Sequence, residues 1–138
     1  MLQQDYEGVY VHTPFCMQKC LYCDFASNAG LGADLQERYV ADLCREITLR
    51  GRQVRRGATF FFGGGTPTVL TTEQLTRIVT ALKAQGVWQQ SAEATIEANP
   101  GTVDLAKLTA LRQLGFDRLS LGVQSLNDAE LKAVGRIH

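Results

Sequence analysis

Short apolar runs alternate with amphipathic helical patterns along the whole chain, and this alternation restricts its fold more than any other feature. The runs are Gly8–His12, Ala58–Phe62, Thr95–Ala98 and Arg118–Leu121. Each is strand-length and bounded by turn residues. Neighbouring runs are separated by a helix-length segment instead of a tight hairpin. They are therefore expected to form a parallel sheet with right-handed crossovers. Ala58-Thr59-Phe60-Phe61-Phe62 is a continuous run, the pattern expected of a strand covered on both faces.

The helices between them carry their own punctuation. The first is expected to start at Asp34, where Asp34 and Glu37 match a capping box, and to end before Gly51. Its stripe is Leu35, Tyr39, Leu43 and Ile47, broadened by Val40 and Cys44. The second opens at Thr71-Thr72-Glu73-Gln74, buries Leu75, Ile78, Val79 and Leu82, and stops at Gly86. The third runs from about Val103 to Leu114, with Leu105, Leu108 and Leu111 inside and Gly115 beyond its end. The fourth starts at Asn127, with Glu130 in the matching position and Leu126 and Leu131 as a hydrophobic staple. Gly51–Gly57 is basic and reads as a solvated connection. The fold class is α/β, with parallel βα repeats of about four strands and four helices.

One domain of ordinary size fits 138 residues. Fourteen basic residues balance fourteen acidic ones, with no single-sign run, so no nucleic-acid or membrane surface is expected. No apolar stretch approaches the roughly 20 residues of a spanning helix. Met1-Leu2-Gln3-Gln4-Asp5 lacks an export pattern, and the expected compartment is cytoplasmic.

Cys16, Cys20 and Cys23 form C-x-x-x-C-x-x-C directly after the first strand. Without export, clustered cysteines are ligands or catalysts more often than disulfides. Three thiolates fall one short of the four ligands of a closed zinc site or an ordinary iron–sulfur cluster. A cubane cluster held by three would keep one iron open to a small molecule. The spacing leaves alternatives: zinc completed by His12 or His138, a disulfide with a spare thiol, or burial as small apolar side chains. Cys44 shares a stripe with Val40 and Ile47 and reads as core.

The other chemically unusual residues all follow predicted strands, the edge where βα architectures carry their chemistry. Gly63-Gly64-Gly65-Thr66-Pro67 follows the second strand and offers a backbone that a ligand can approach closely. It is not a P-loop or a G-x-G-x-x-G. Glu97 sits between apolar Ile96 and Ala98 and needs donors there, from a ribose, an amino group or a structural partner such as Arg118. Gln124 and Ser125 precede a helix N-terminus, where polar or anionic groups are favoured, although capping suits Ser125 better. Arg136 suits a bidentate carboxylate, although a lone terminal arginine is more often simply solvated.

Taken in order, these segments resemble one branch of the radical S-adenosylmethionine (SAM) superfamily, which contains oxygen-independent coproporphyrinogen III oxidases and HemW-type haem chaperones. The likeness is carried by Tyr10–Cys16, the cysteine triplet with aromatic Tyr22 before its last member, Phe62–Pro67, Glu97–Thr102, Leu119–Ser125 and Gly135–His138. It implies a 4Fe–4S cluster on Cys16, Cys20 and Cys23, with SAM chelating the open iron. Tyr10, Gly64 and Glu97 match residues beside that SAM. Tyr22, Gly65, Thr66, Gln124 and Arg136 match positions that the oxidase uses around a second one. The implied chemistry is reductive cleavage of SAM to methionine and a 5′-deoxyadenosyl radical that abstracts hydrogen.

Two departures favour the chaperone-like side. Phe25 stands where the oxidase has a further cysteine, and only seven residues precede Gly8. That side implies binding of haem or a porphyrin and delivery to a haem-accepting protein. The resemblance also implies a partial (βα)6 barrel followed by a C-terminal domain. Residues 1–138 are accordingly expected to be the N-terminal part of the core, with the cluster loop at 12–25 and the remainder absent.

Overall fold

A computed structural model describes residues 6–24 and 26–138. Phe25 and the N-terminal Met1–Asp5 segment lie outside the described residues. Strand β1 (Tyr6–Thr13) leads through two short strands, β2 (Phe15–Cys16) and β3 (Asn28–Ala29), into helix α1 (Ala33–Arg50). Strand β4 (Val54–Gly64), helix α2 (Thr72–Ala84) and strand β5 (Glu93–Ala98) follow. Helix α3 (Leu105–Leu114), strand β6 (Arg118–Leu121) and helix α4 (Asp128–Ala133) complete the described order. The main sheet is β1-β4-β5-β6, parallel at every junction, so sequential βα units are spatial neighbours. This is the α/β arrangement of parallel repeats anticipated from the alternation.

Register explains which residues are hidden. Val11 pairs with Phe62, and Phe62 with Ile96, on the face packed against the helices. Val40, Ile47, Leu75, Ile78, Val79, Leu82 and Leu111 from α1, α2 and α3 meet them in a single core. Phe60, Phe62, Trp88 and Phe116 fill its centre edge to face, with ring centroids 5.0–6.1 Å apart. The Trp88 indole N–H donates to the Leu114 carbonyl at 2.8 Å, which satisfies the one polar atom in that cluster.

The opposite face carries Tyr10, Phe61, Thr95 and Glu97. Tyr10 is 58% exposed and Phe61 37%, and their rings stack at 6.2 Å. The expectation that Ala58–Phe62 is covered on both faces is therefore corrected. Ala58, Phe60 and Phe62 are buried, whereas Thr59 and Phe61 are not, because all three packing helices share the other face.

Several boundaries also move. Strand β4 begins at Val54, so Arg55 and Arg56 belong to a strand rather than a free connection, and Arg55 pairs with Glu7 at 2.9 Å. Helix α1 starts at Ala33 after Gly32, with no side-chain cap, so no box forms between Asp34 and Glu37. Glu37 instead accepts from Gln74 Nε2 at 2.7 Å and Arg77 at 2.6 Å, linking α1 to α2. Leu35, expected in the stripe, is exposed.

At α2 the capping box is present. Gln74 N–H donates to the Thr71 hydroxyl, and Thr71 N–H to the Gln74 side chain. Helix α3 begins at Leu105, capped by Asp104, and of the three leucines expected inside, Leu105, Leu108 and Leu111, only Leu111 is buried. Leu105 is 81% exposed because α3 reaches inward through Lys107, whose ammonium donates to the Thr68 and Leu70 carbonyls. Burial holds the Lys107 pKa below its usual value. Asn127 caps α4 as expected, but Leu126 is 95% exposed and forms no staple. No helix among the described residues is long and apolar enough to cross a membrane.

Candidate functional site

The cysteine loop leaves β1 and is closed at its base by two short ladders. Phe15–Cys16 pairs with Asn28–Ala29, and Asn28 N–H donates to the Pro14 carbonyl at 2.8 Å. Its far limb is held by His12. Nε2 of that ring lies 2.7 Å from the Ala26 carbonyl, which can only accept, so Nε2 carries a proton. Nδ1 of the same ring lies 3.0 Å from the Tyr10 hydroxyl. The tip docks on the C-terminal end of α4. Leu21 N–H donates to the Val134 carbonyl at 3.3 Å, and Gln18 Nε2 to the Gly135 carbonyl at 3.2 Å.

The glycine loop backs directly onto this structure. Gly65 N–H donates to Thr13 O at 2.6 Å and Thr66 N–H to Phe15 O at 2.7 Å. A Cβ on Gly65 would stand 2.5 Å from the Phe15 carbonyl oxygen and 3.0 Å from Cys16 Sγ. One on Gly64, where φ is +105°, would stand 2.7 Å from His12 Nδ1. Ligand access was the reason read from the sequence for the missing side chains. The structure adds a second one, the close approach of one loop's backbone to the other.

A cavity of about 320 Å³ opens between these loops and the ends of β5 and β6. Cys16, Cys20, Cys23 and Tyr22 border it from the cysteine loop, and Gly64, Gly65 and Thr66 from the exit of β4. Glu97 enters from β5, and Gln124 and Arg136 from the far side. Ten of the residues singled out in the sequence thus share one wall. Tyr10 does not border the cavity; it stands on the open sheet face beside Glu97.

Burial raises the Glu97 pKa, partly offset by a hydrogen bond from the Gly64 N–H. Arg118 does not supply its partner, because that guanidinium pairs with Glu93 at 3.0 Å. Burial and the Glu97 charge together raise the Tyr10 pKa. Gln124 has φ +67°, the left-handed region that non-glycine residues seldom occupy, and such strain gathers at functional sites. Ser125 does not cap the helix, a role that Asn127 takes; its hydroxyl accepts from the Asn127 N–H at 3.0 Å and donates to Glu130.

Among the described residues, Arg136 pairs with no carboxylate. Nη2 donates to Asn99 Oδ1 at 2.6 Å and to the Gly122 carbonyl, while Nη1 donates to Cys20 Sγ at 3.2 Å. The Thr66 hydroxyl donates to Cys16 Sγ at 3.7 Å. Asn99 is the residue whose importance the sequence concealed, since Asn-Pro-Gly reads as turn material.

The donor set fits an iron–sulfur cluster. All four thiols are free, so the disulfide alternative fails, and Cys44 packs against the core as expected. Hydrogen bonds donated to Cys16 and Cys20 suit thiolates. Among the described residues, no three His, Cys, Asp or Glu side chains converge as a single-ion site. His12 has both ring nitrogens engaged, and His138 Nε2 is bonded to the Val123 carbonyl at 2.9 Å. Thiols distributed around a cavity suit a polynuclear cluster, whose irons each take one ligand.

Comparison with known proteins agrees with this geometry. The chain is 38% identical to the Escherichia coli (strain K12) heme chaperone HemW over 136 residues, which cover 95% of this chain and 35% of that protein. It is 40% identical to the Synechocystis heme chaperone HemW over 137 residues, 95% of this chain and 33% of the relative. The chain spans about a third of the length of these curated relatives. The structure of coproporphyrinogen III oxidase (HemN) from Escherichia coli, a radical SAM enzyme, matches with a TM-score of 0.85. Identity there is 31%, over 99% of this chain and 32% of that one. The sequence profile of the Radical SAM superfamily matches residues 10–138. With its cysteine triplet, its parallel repeats and a match over nearly its whole length, the chain belongs to the radical SAM superfamily, whose general cofactors are a 4Fe–4S cluster and SAM.

Proposed function

We propose that this chain supplies the cluster- and SAM-binding part of a HemW-like haem chaperone. Cys16, Cys20 and Cys23 would hold a 4Fe–4S cluster by three of its irons, leaving one iron without a protein ligand and available to SAM. Glu97 and Gly64 would face that SAM from the cavity wall, with Tyr10 beside Glu97 on the adjoining sheet face. Tyr22, Gly65, Thr66, Gln124 and Arg136 line the remainder of the cavity, where the likeness to the oxidase suggests a second SAM. When bound, the cluster supplies an electron to the sulfonium. The protein's own part is to orient that group and exclude water. The described fold provides four of the six βα units that the resemblance implies, and we infer that residues 1–138 form the first part of such a core. Haem and its acceptor protein are assigned to the longer protein. The same reading places it in the cytoplasm, where clustered thiols persist as thiols.

The observation that carries this reading is the convergence of four separate strand exits on one cavity that contains all three thiols. Its test is anaerobic reconstitution followed by single Cys→Ala changes. Loss of the brown chromophore is expected at Cys16, Cys20 and Cys23, and its retention at Cys44. Retention on loss of Cys23 would defeat the ligand assignment. Haem titration of the protein from its whole reading frame should show binding without decarboxylation of coproporphyrinogen. Decarboxylation would favour an oxidase instead.

A further inference from the structure

Asn99 links Thr66 to Arg136, two residues whose side chains reach the cysteine loop, and no role read from its motif explains that link. Its backbone is fixed first. Thr102 N–H and the Thr102 hydroxyl donate to the Asn99 carbonyl at 3.0 and 2.6 Å, and that hydroxyl bonds to Thr68 at 2.7 Å. The side-chain amide is then oriented by chemistry. Arg136 has donors and no acceptor, so the amide atom 2.6 Å from Nη2 is the carbonyl oxygen. The other end is therefore the NH₂, which donates to the Thr66 hydroxyl at 2.8 Å.

A hydroxyl that accepts from Asn99 keeps one proton of its own, and the Thr66 proton is directed at Cys16 Sγ. On the other side, Nη2 of Arg136 is held by Asn99 and Gly122, which leaves Nη1 facing Cys20 Sγ. One amide thus organises the donors to two of the three thiols without touching either.

We propose that Asn99 is a positioning residue that sets the reduction potential of the cluster by aiming Thr66 at Cys16 and Arg136 at Cys20. The proposal rests on the reading that these cysteines carry the 4Fe–4S cluster. Reduction adds negative charge to the cluster and its thiolates, and hydrogen bonds to sulfur stabilise that charge. Removing them makes reduction harder. Asparagine is specific to the task, because aspartate presents acceptors at both ends and would draw the Thr66 proton away from Cys16.

The test is a redox titration of the anaerobically reconstituted protein from its whole reading frame, followed by electron paramagnetic resonance. Asn99→Leu is expected to keep iron and sulfide content while its reduced-to-oxidised ratio at fixed potential falls about tenfold, equivalent to about 59 mV for a one-electron couple. Thr66→Val and Arg136→Met should each give part of that shift. Adding Asn99→Leu to the Thr66→Val, Arg136→Met double variant should add nothing. An unchanged potential in Asn99→Leu, or a full extra shift in the double variant, overturns the proposal. So does loss of the cluster on changing Asn99 when the Thr66 and Arg136 variants keep it, since Asn99 would then act by another route. Loss in all three with the far-ultraviolet spectrum unchanged supports the shared route. A wild-type protein that assembles no cluster refutes the underlying reading instead, and the two failures are distinct.

Discussion

At the scale of single residues, Glu97 in the site and Tyr39 beneath the cysteine loop stand in surroundings that disfavour their charged forms. Glu97 is raised from 4.5 by burial, with the Gly64 N–H opposing. The stability tied to its protonated form is fully present below 4.5 and is lost as pH rises through the raised value. Above that raised value the ligand-free protein holds a poorly solvated carboxylate, a cost that a ligand's donors would offset. Glu97→Gln is expected to raise the melting temperature of the ligand-free protein at pH 7 and to weaken SAM binding in the cluster-loaded one. Lower thermal stability together with unchanged binding would refute this.

Tyr39 is pushed up to about 12, chiefly by burial, while its hydroxyl donates to the His12 carbonyl below the cysteine loop. The unfolded chain loses this proton near 10.0, so stability falls between roughly pH 10 and 12. Denaturation at a series of alkaline pH values should show a shallower decline for Tyr39→Phe, together with a loss on the order of 1 kcal/mol at neutral pH from the missing hydrogen bond.

At the scale of elements, legibility followed how local the cause was. The helix start at Thr71–Gln74, the Asn127 cap and the Gly115 stop were readable because each depends on a few adjacent residues. Glu37 misled because a partner on another helix claimed its carboxylate. Leu105, Leu108 and Leu126 misled because periodicity reports an apolar face but not what covers it. The β2–β3 ladder was invisible, since two residues carry no period. In the site, the cysteines and the glycine loop were legible from residue type and spacing. The link from Asn99 to Thr66 and Arg136 was not, because it joins segments that only the fold brings together. Gly65 shows the constraint most sharply: an added Cβ meets the Phe15 backbone, which cannot swing aside as a side chain can. Gly65→Ala is expected to cost about 1–3 kcal/mol by overpacking and to lower the iron bound per chain. Chemical denaturation and iron analysis would check both, and wild-type values in each would contradict the packing argument.

At the scale of the whole molecule, a sheet with helices on one face leaves the other free to carry Tyr10, Phe61 and Glu97 up to a rim where four loops meet. That one-sidedness follows from strand order: sequential parallel neighbours, joined by helices that all enter one core, leave the second face uncovered. The central claim is that three cysteines hold a cluster whose remaining iron accepts SAM within this cavity. The most direct measurement is the paramagnetic resonance spectrum of the reduced, reconstituted protein before and after SAM is added. A 4Fe–4S signal whose g-values shift on addition is the predicted result. A spectrum unmoved by saturating SAM, or a cluster fully ligated by the protein's own side chains, would contradict it.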